Sequence, residues 1–409
     1  MKLFKREQYL SKIRGFYEAT DLIKVIVGVR RAGKSSIMTT IIDELSEQGV
    51  ATDNLVYINL DKRGYKNIKT ADQLDKLIEE KSKAKGIKYL FIDEIQNVKD
   101  FEEVINGYRE EGDYSIFITG SNSYLLSGEL VTKLTGRYIE FEVFPLNFKE
   151  YEQIKLFYKK PIDSNSITEL NNYIIEGGFP RAIFFNDITE KKKYTEDVVK
   201  EIFEKDIRKR VKIKNVHTFE LVRQFVINNF GATMSIRSIH NALKNNGFEI
   251  SEATVSKYVK ILEKAKIIYE CDRFDMKSKR SLSGEKKYYL SDISFYNALN
   301  TNNSINYGPV LENILFTYLR SQGYSVSIGR IGKLECDFIV RPAPMSYSYI
   351  QVAYTILSSK KTEDREYKPL ENIKDNYPKF VLTTDLLLQK RNGIIHRNII
   401  DFMNNDALN

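Results

Sequence analysis

Residues 28–35 read Gly28-Val29-Arg30-Arg31-Ala32-Gly33-Lys34-Ser35, a G-x-x-x-x-G-K-S octapeptide set between an apolar run and an amphipathic one. Such a loop must curl until successive backbone N–H groups point at one anion, a conformation with little room for a β-carbon, and its glycines permit this. Lys34 then offers a cation to the outer phosphates of a nucleoside triphosphate, and Ser35 offers a hydroxyl to Mg²⁺. Context separates the motif from a chance match. Lys24-Val25-Ile26-Val27 reads as a buried strand, and Ile37, Ile41, Ile42 and Leu45 mark one helical face that Gly49 ends. The nucleotide contacts expected here are Gly28, Arg30, Arg31, Ala32, Gly33, Lys34, Ser35 and Ser36.

A chain of 409 residues is too long for one ordinary core and implies roughly two to four domains. No apolar stretch approaches the roughly 18 residues that cross a bilayer, and Met1-Lys2-Leu3-Phe4-Lys5-Arg6 lacks a secretory apolar run, so a cytoplasmic protein with no membrane partner is expected. Cys271 and Cys336, far apart in sequence, and three histidines make neither a disulfide framework nor a zinc site. Mg²⁺ held by oxygens is the metal to expect. A net charge of +8 is compatible with nucleic acid but does not by itself argue for it.

The next strands carry the rest of the expected chemistry. Leu55–Asp61 is followed by Lys88-Tyr89-Leu90-Phe91-Ile92-Asp93-Glu94, a Walker B pattern of apolar residues ending in two acids. At the C-terminal end of a parallel strand, Asp93 lies beside the phosphate loop and can hold Mg²⁺ through water, while Glu94 polarises the attacking water. A fourth strand, 114–122, ends in Thr119, Ser121 and Asn122, each suited to orient that water, and Asn122 joins Glu94 and Arg137 as a candidate catalytic residue. Arg137 stands between a helix carrying Leu125, Leu126, Leu130 and Leu134 and a fifth strand, 138–144, where an arginine can serve as a finger for charge on the γ-phosphate. Alternating strands and helices describe an open α/β sheet covered on both faces.

These motifs carry a resemblance. The loop at 28–35, FIDEIQNV at 91–98, ITGSNS at 118–123 and LTGRYIEFEVFPL at 134–146 are similar to AAA+ ATPases of bacteria and archaea near the STAND branch, which carry a C-terminal domain of uncertain function. The resemblance implies a P-loop AAA+ parallel sheet over 1–150 in the order 5-1-4-3-2, a helical lid over 151–215, ATP rather than GTP, and possible homo-oligomers. It also makes Gly178 and Pro180, in the Gly177-Gly178-Phe179-Pro180-Arg181 segment, candidate adenine contacts; a helix cap and turn is the plain alternative.

From Thr218 the pattern turns to short helices, 219–229, 235–245 and 251–266, then two strands around a loop holding Lys277, Lys279 and Arg280. This suits a winged helix-turn-helix over 216–299, with Thr254, Ser256, Lys257, Tyr258 and Lys260 facing outward, and DNA is its expected partner; a protein-interaction module is the alternative. Residues 305–409 run helix, three strands, helix, strand. With Glu312, Asp337 and Gln351 they resemble the restriction-endonuclease-like PD-(D/E)xK fold, whose acids build a Mg²⁺ site. Ala353 occupies the place of that fold's lysine, and Glu366 or Lys368 on the following helix is the nearest replacement. The expected function is an ATP-driven switch acting on nucleic acid. Its alternatives are an ATP-binding scaffold and a transcription regulator with a degenerate nuclease-like domain.

Overall fold

The computed structural model describes residues 2–120, 134, 136–209, 211–278, 280–299, 305–342, 346–405 and 408. It divides into two compact units, Met1–Phe144 with Lys264–Lys266, and Pro145–Glu263 with Ile267–Asn409. No helix among the described residues is long and apolar enough to cross a membrane.

The first unit is built on five parallel strands, β1 (Ile23–Val27), β2 (Leu55–Asn59), β3 (Lys88–Asp93), β4 (Tyr114–Gly120) and β5 (Tyr138–Glu142), in the order β5-β1-β4-β3-β2. A parallel sheet is stable only when both faces are covered, and β1 and β4 are buried at every position. Val25, Ile58, Leu90, Ile92 and Ile118 pack against Leu74 and Ile78 of α3 (Ala71–Lys81) and Ile105 of α4 (Phe101–Glu111). Lys24 is the exception inside β1. Its ammonium donates to the Leu22 carbonyl (3.0 Å) and Ser115 Oγ (2.9 Å) above the Phe117 ring, and burial lowers its pKa to about 7. Of the leucines expected on the helix before Arg137, Leu134 is buried in this core, whereas Leu125, Leu126 and Leu130 lie outside the described residues.

The second unit opens with helices α5 (Phe148–Phe157), α6 (Ser166–Glu176) and α7 (Ile188–Glu201). There follow α8 (Val216–Asn228), β6 (Thr233–Met234), α9 (Ile236–Asn245), α10 (Glu252–Lys264), β7 (Ile268–Asp275) and β8 (Arg280–Leu290). Beyond α11 (Ser294–Leu299) come α12 (Tyr307–Ser321), β9 (Ser325–Ile331), β10 (Leu334–Arg341), β11 (Ser348–Val352), α13 (Lys360–Glu371), β12 (Lys379–Thr383), β13 (Lys390–Arg391), β14 (Ile394–Asn398) and α14 (Ile399–Asn404). All nine strands from β6 onward form one sheet, ordered β13-β14-β12-β11-β10-β9-β7-β8-β6. The sheet runs across the expected boundary at 299, because β7 pairs in parallel with β9 at Arg273–Asp275 against Ile328–Arg330. Tyr258, expected to face outward from α10, is buried against Phe219, because an aromatic ring of that size completes the contact between α8 and α10.

The Gly177-Gly178 turn is explained by packing within this unit. A β-carbon on Gly178 would stand 2.2 Å from the Leu146 carbonyl oxygen, and one on Gly177, at φ +77°, 2.3 Å from Asp292 Oδ1. Gly178 N–H donates to Asp292 Oδ2 (2.7 Å) and Ser294 N–H to Oδ1 (2.9 Å). Burial raises the Asp292 carboxyl to about 6 against the pull of these donors. The folded value lies above the ordinary 3.8, so the folded chain holds the proton more tightly, and stability falls as pH rises through that window. The fall amounts to about 3 kcal/mol. Asp292→Asn should remove this share of the pH profile, which urea unfolding of both proteins from pH 4 to pH 7 would measure; parallel profiles would show that Asp292 does not titrate there.

Candidate nucleotide site

The octapeptide joins the C-terminal end of β1 to α2 (Lys34–Glu47). Gly33 caps that helix in the left-handed region at φ 101°, and Arg31 shares the region at φ 69°. Gly28 is required by a close approach, since a β-carbon there would stand 2.1 Å from the Val143 carbonyl oxygen. The buried Lys34 donates to the carbonyls of Gly28 (3.0 Å) and Val29 (3.1 Å), which keeps its ammonium inside the curl of the loop. Ser35 and Ser36 follow on the exposed first turn of α2, where a helix N-terminus favours an anion. Ala32 is buried and Arg30 nearly so, with Asp61 4.0 Å from its guanidinium. Arg6, which the sequence did not single out, pins the loop from outside by donating to the carbonyls of Ala32 (2.8 Å) and Phe144 (2.9 Å).

Asp93 and Glu94 stand at the end of β3, as their spacing requires. Asn59 Nδ2 (2.8 Å) and Tyr57 OH (3.2 Å) donate to Asp93 Oδ2, and Thr119 Oγ1 donates to Oδ1. The same Thr119 oxygen accepts the Glu94 N–H (3.0 Å), while Gln96 Nε2 donates to Glu94 Oε2. One hydroxyl thus holds the Asp93 carboxylate and the Glu94 backbone, while Gln96 holds the Glu94 carboxylate. Glu94 sits at φ 59°, an uncommon conformation for a residue with a β-carbon, which turns its carboxylate away from the strand line. No local sequence signal marks Tyr57, Asn59 or Gln96; of the three polar residues expected at the end of the fourth strand Thr119 is the one placed here, and Ser121 and Asn122 lie outside the described residues.

Arg137 is placed elsewhere. Its carbonyl accepts the Ile23 N–H (2.9 Å) at the N-terminal end of β1, about 16 Å along the strand from the loop at the other end. Its guanidinium turns to α4, donating to Asn106 Oδ1 (3.3 Å) beside Glu110 (3.8 Å). The structure thus does not bring Arg137 together with the phosphate loop, since the two stand at opposite ends of β1. Gly178 belongs to the buried turn above, with its N–H committed to Asp292, and Pro180 follows it half-buried.

Glu312, Asp337 and Gln351 do come together, from α12, β10 and β11. Asp337 N–H donates to Gln351 Oε1 (3.3 Å) and Val352 N–H to Asp337 Oδ2 (2.8 Å). Burial and then the Glu312 charge push the Asp337 carboxyl well above its ordinary value. Neither candidate on α13 supplies the missing cation: Lys368 is exposed, and Glu366 is a buried acid bonded to Arg365. The cation that does stand beside these acids is Lys287 of β8, 2.7 Å from Glu312 Oε1 and 2.8 Å from Glu335 Oε1. Burial disfavours its charge, yet Glu312, Asp337 and Glu335 hold its pKa above the ordinary value. With Lys287 among these acids, and with no group of three or more His, Cys, Asp or Glu side chains among the described residues arranged to hold a metal ion, the occupied cluster does not fit the expected Mg²⁺. Cys271 and Cys336 are buried free thiols.

Strand order, curled loop and paired acids define an α/β P-loop domain of the AAA class, and residues 20–152 match the family model described as an AAA domain. The chain belongs to one protein family with an uncharacterized protein of Haemophilus influenzae, 36% identical over 385 residues that cover 93% of each chain. An uncharacterized protein of Methanocaldococcus jannaschii is 32% identical over 363 residues, 86% of this chain and 79% of the relative. Residues 167–306 match a second model, described as a domain of unknown function. Among solved structures, the Walker-type ATPase PABY2304 of Pyrococcus abyssi aligns over 73% of this chain and 96% of its own, at 17% identity and a TM-score of 0.48.

Thr119→Val should leave the buried Glu94 N–H without its acceptor and release Asp93 on one side. The expected loss is about 1–3 kcal/mol of stability, read by urea unfolding. Unchanged stability would mean that another acceptor takes the Glu94 N–H.

Proposed function

We propose that the first unit binds Mg·ATP and hydrolyses it, and that the second unit passes the resulting change to nucleic acid. The observation that carries the hydrolytic reading is the fixing of Glu94 beside Asp93, its N–H on the Thr119 hydroxyl that also holds Asp93 and its carboxylate accepting from Gln96. A site that only held nucleotide would need the metal-binding acid, but not a second carboxylate turned and fixed beside it. In this reading the loop amides and Lys34 balance the phosphate charge, and Ser35 and Asp93 hold Mg²⁺, which supplies charge neutralisation at the phosphates. Glu94, held by Gln96, takes the proton of the attacking water. In the same reading Arg137 serves the phosphates of a neighbouring copy, so that the active form is a homo-oligomer.

Nucleic acid is favoured as partner by the order α8-β6-α9-α10-β7-β8, with β6 paired to β8, which is the order of a winged helix. A cleft of about 470 Å³ opens where α8 and α10 begin, lined by Lys214, Asn215, Thr218, Ser251 and Lys257 together with one acid, Glu249. Lysines, hydroxyls and two helix starts suit a phosphate backbone. Lys277 is exposed at the hairpin turn; Lys279 lies outside the described residues. The fold of 305–409 supports a nuclease-shaped domain.

Lys34→Ala should abolish ATP binding, whereas Glu94→Gln should bind ATP and lose turnover by about 10²-fold or more. Equilibrium binding of a fluorescent ATP analogue and phosphate release measure the two, and normal turnover by Glu94→Gln would overturn the hydrolytic assignment. Replacing Lys214, Lys257 and Lys277 with alanine should weaken duplex DNA binding and flatten its salt dependence by about 0.9 for each phosphate that is no longer neutralised. An unchanged salt slope would reassign the module to protein contacts.

A further inference from the structure

The acids that make the C-terminal domain look like a metal-dependent nuclease already surround a cation of the chain's own. Lys287 Nζ stands between Glu312 Oε1 and Glu335 Oε1, and its side chain is only 5% exposed. Glu312 and Glu335 accept from further donors as well, and Asp337, whose charge also acts on Lys287, accepts from the backbone. Tyr289 OH donates to Glu312 Oε1, Arg273 Nη2 donates to Glu335 Oε2 (3.0 Å), and Val352 N–H donates to Asp337 Oδ2 (2.8 Å). Three of these donors, Arg273, Lys287 and Tyr289, come from the β7–β8 hairpin, whereas the acids come from α12 and β10. The position that would carry the lysine of a nuclease is Ala353, buried against Cys336, Ile339 and Tyr367.

We propose that Lys287 permanently takes the place of a divalent cation in this cluster, so that Glu312, Glu335 and Asp337 form a metal-free latch for the β7–β8 hairpin rather than a nuclease centre. A buried ammonium and a hydrated divalent ion answer the same need, since carboxylates gathered in a dry site repel one another unless a cation stands among them. An ammonium has three donors and forms no metal–oxygen coordination, so it neutralises the acids without activating water for attack on a phosphodiester. The lysine reaches the acids only because β7 and β8 continue the sheet of the C-terminal domain, with β7 beside β9. The cluster therefore joins the winged-helix part to the nuclease-shaped part by charge as well as by backbone pairing.

The test is Mn²⁺ uptake by the full chain without nucleotide, followed by electron paramagnetic resonance and by thermal melting. Wild type should take up no Mn²⁺ through this cluster and cleave neither DNA nor RNA in its presence. Lys287→Ser should vacate the centre, bind one Mn²⁺ per chain and melt at a higher temperature when Mn²⁺ is added, and adding Asp337→Asn should cancel the gain. Wild-type uptake or cleavage that Asp337→Asn abolishes would overturn the proposal, as would a folded Lys287→Ser protein that gains no Mn²⁺. If Lys287→Ser does not fold, the neutral pair Lys287→Met with Glu312→Gln decides: it should melt above either single variant, and a melting temperature no higher than both would refute the pairing.

Discussion

Parallel pairing of β1, β4 and β3 is the constraint from which the chemistry of the first unit follows. The register sets Val27 beside Gly120, and Ile92 beside Ile118, so three strands end side by side. The loop leaves from the first, Thr119 stands one residue before the end of the second, and Asp93 closes the third. β2 adds to this line, because its register places Asn59 opposite Asp93 and so brings the Asn59 amide to the carboxylate. A slip of one residue in β3 would turn Asp93 to the other face of the sheet and leave Asn59 and Thr119 with nothing to orient. The polar groups at the strand ends are satisfied by one another, which is how buried acids persist beside an apolar core.

The second unit depends on a different continuity. Its helical start, its three-helix segment and its C-terminal strands could each be imagined as a domain, yet one nine-stranded sheet runs through the last two. Once β7 lies against β9, Arg273 and Lys287 are carried into an acidic centre that neither part neutralises alone. Breaking a buried pair by removing one partner costs about 3–5 kcal/mol, so cutting the chain between 299 and 305 would leave either the lysine or the acids uncompensated. The Asp292 clamp extends the same logic toward the helices, since a carboxylate at the end of the β8 strand holds the amide of the Gly178 turn.

Two placements give features of the sequence a packing role. Gly177 and Gly178 are glycines because the Leu146 carbonyl and Asp292 leave no room for a β-carbon, which accounts for the turn without a nucleotide. Arg137 keeps the company of α4 at the far end of the sheet from the phosphate loop. Position in a parallel sheet has a direction, and a residue before a strand lies at the opposite pole from a residue after one.

Much of the first unit was legible in the sequence, because its signals are local. The octapeptide specifies its own curl, the apolar runs specify strands, and two acids after such a run mark a strand end whatever lies around it. The order of the strands came from resemblance and agrees with the pairing observed. What the sequence did not disclose are the partners: Arg6 on the Ala32 carbonyl, Asn59 on Asp93, and Lys287 among Glu312 and Glu335. These contacts join residues 26, 34, 25 and 48 positions apart. No periodicity records a meeting between segments that distant, so only the fold decides which cation stands beside which acid. For the same reason the sequence could show that the nuclease-like lysine was missing after Gln351, while only the tertiary structure revealed that a lysine from another strand had taken the place of the metal's charge.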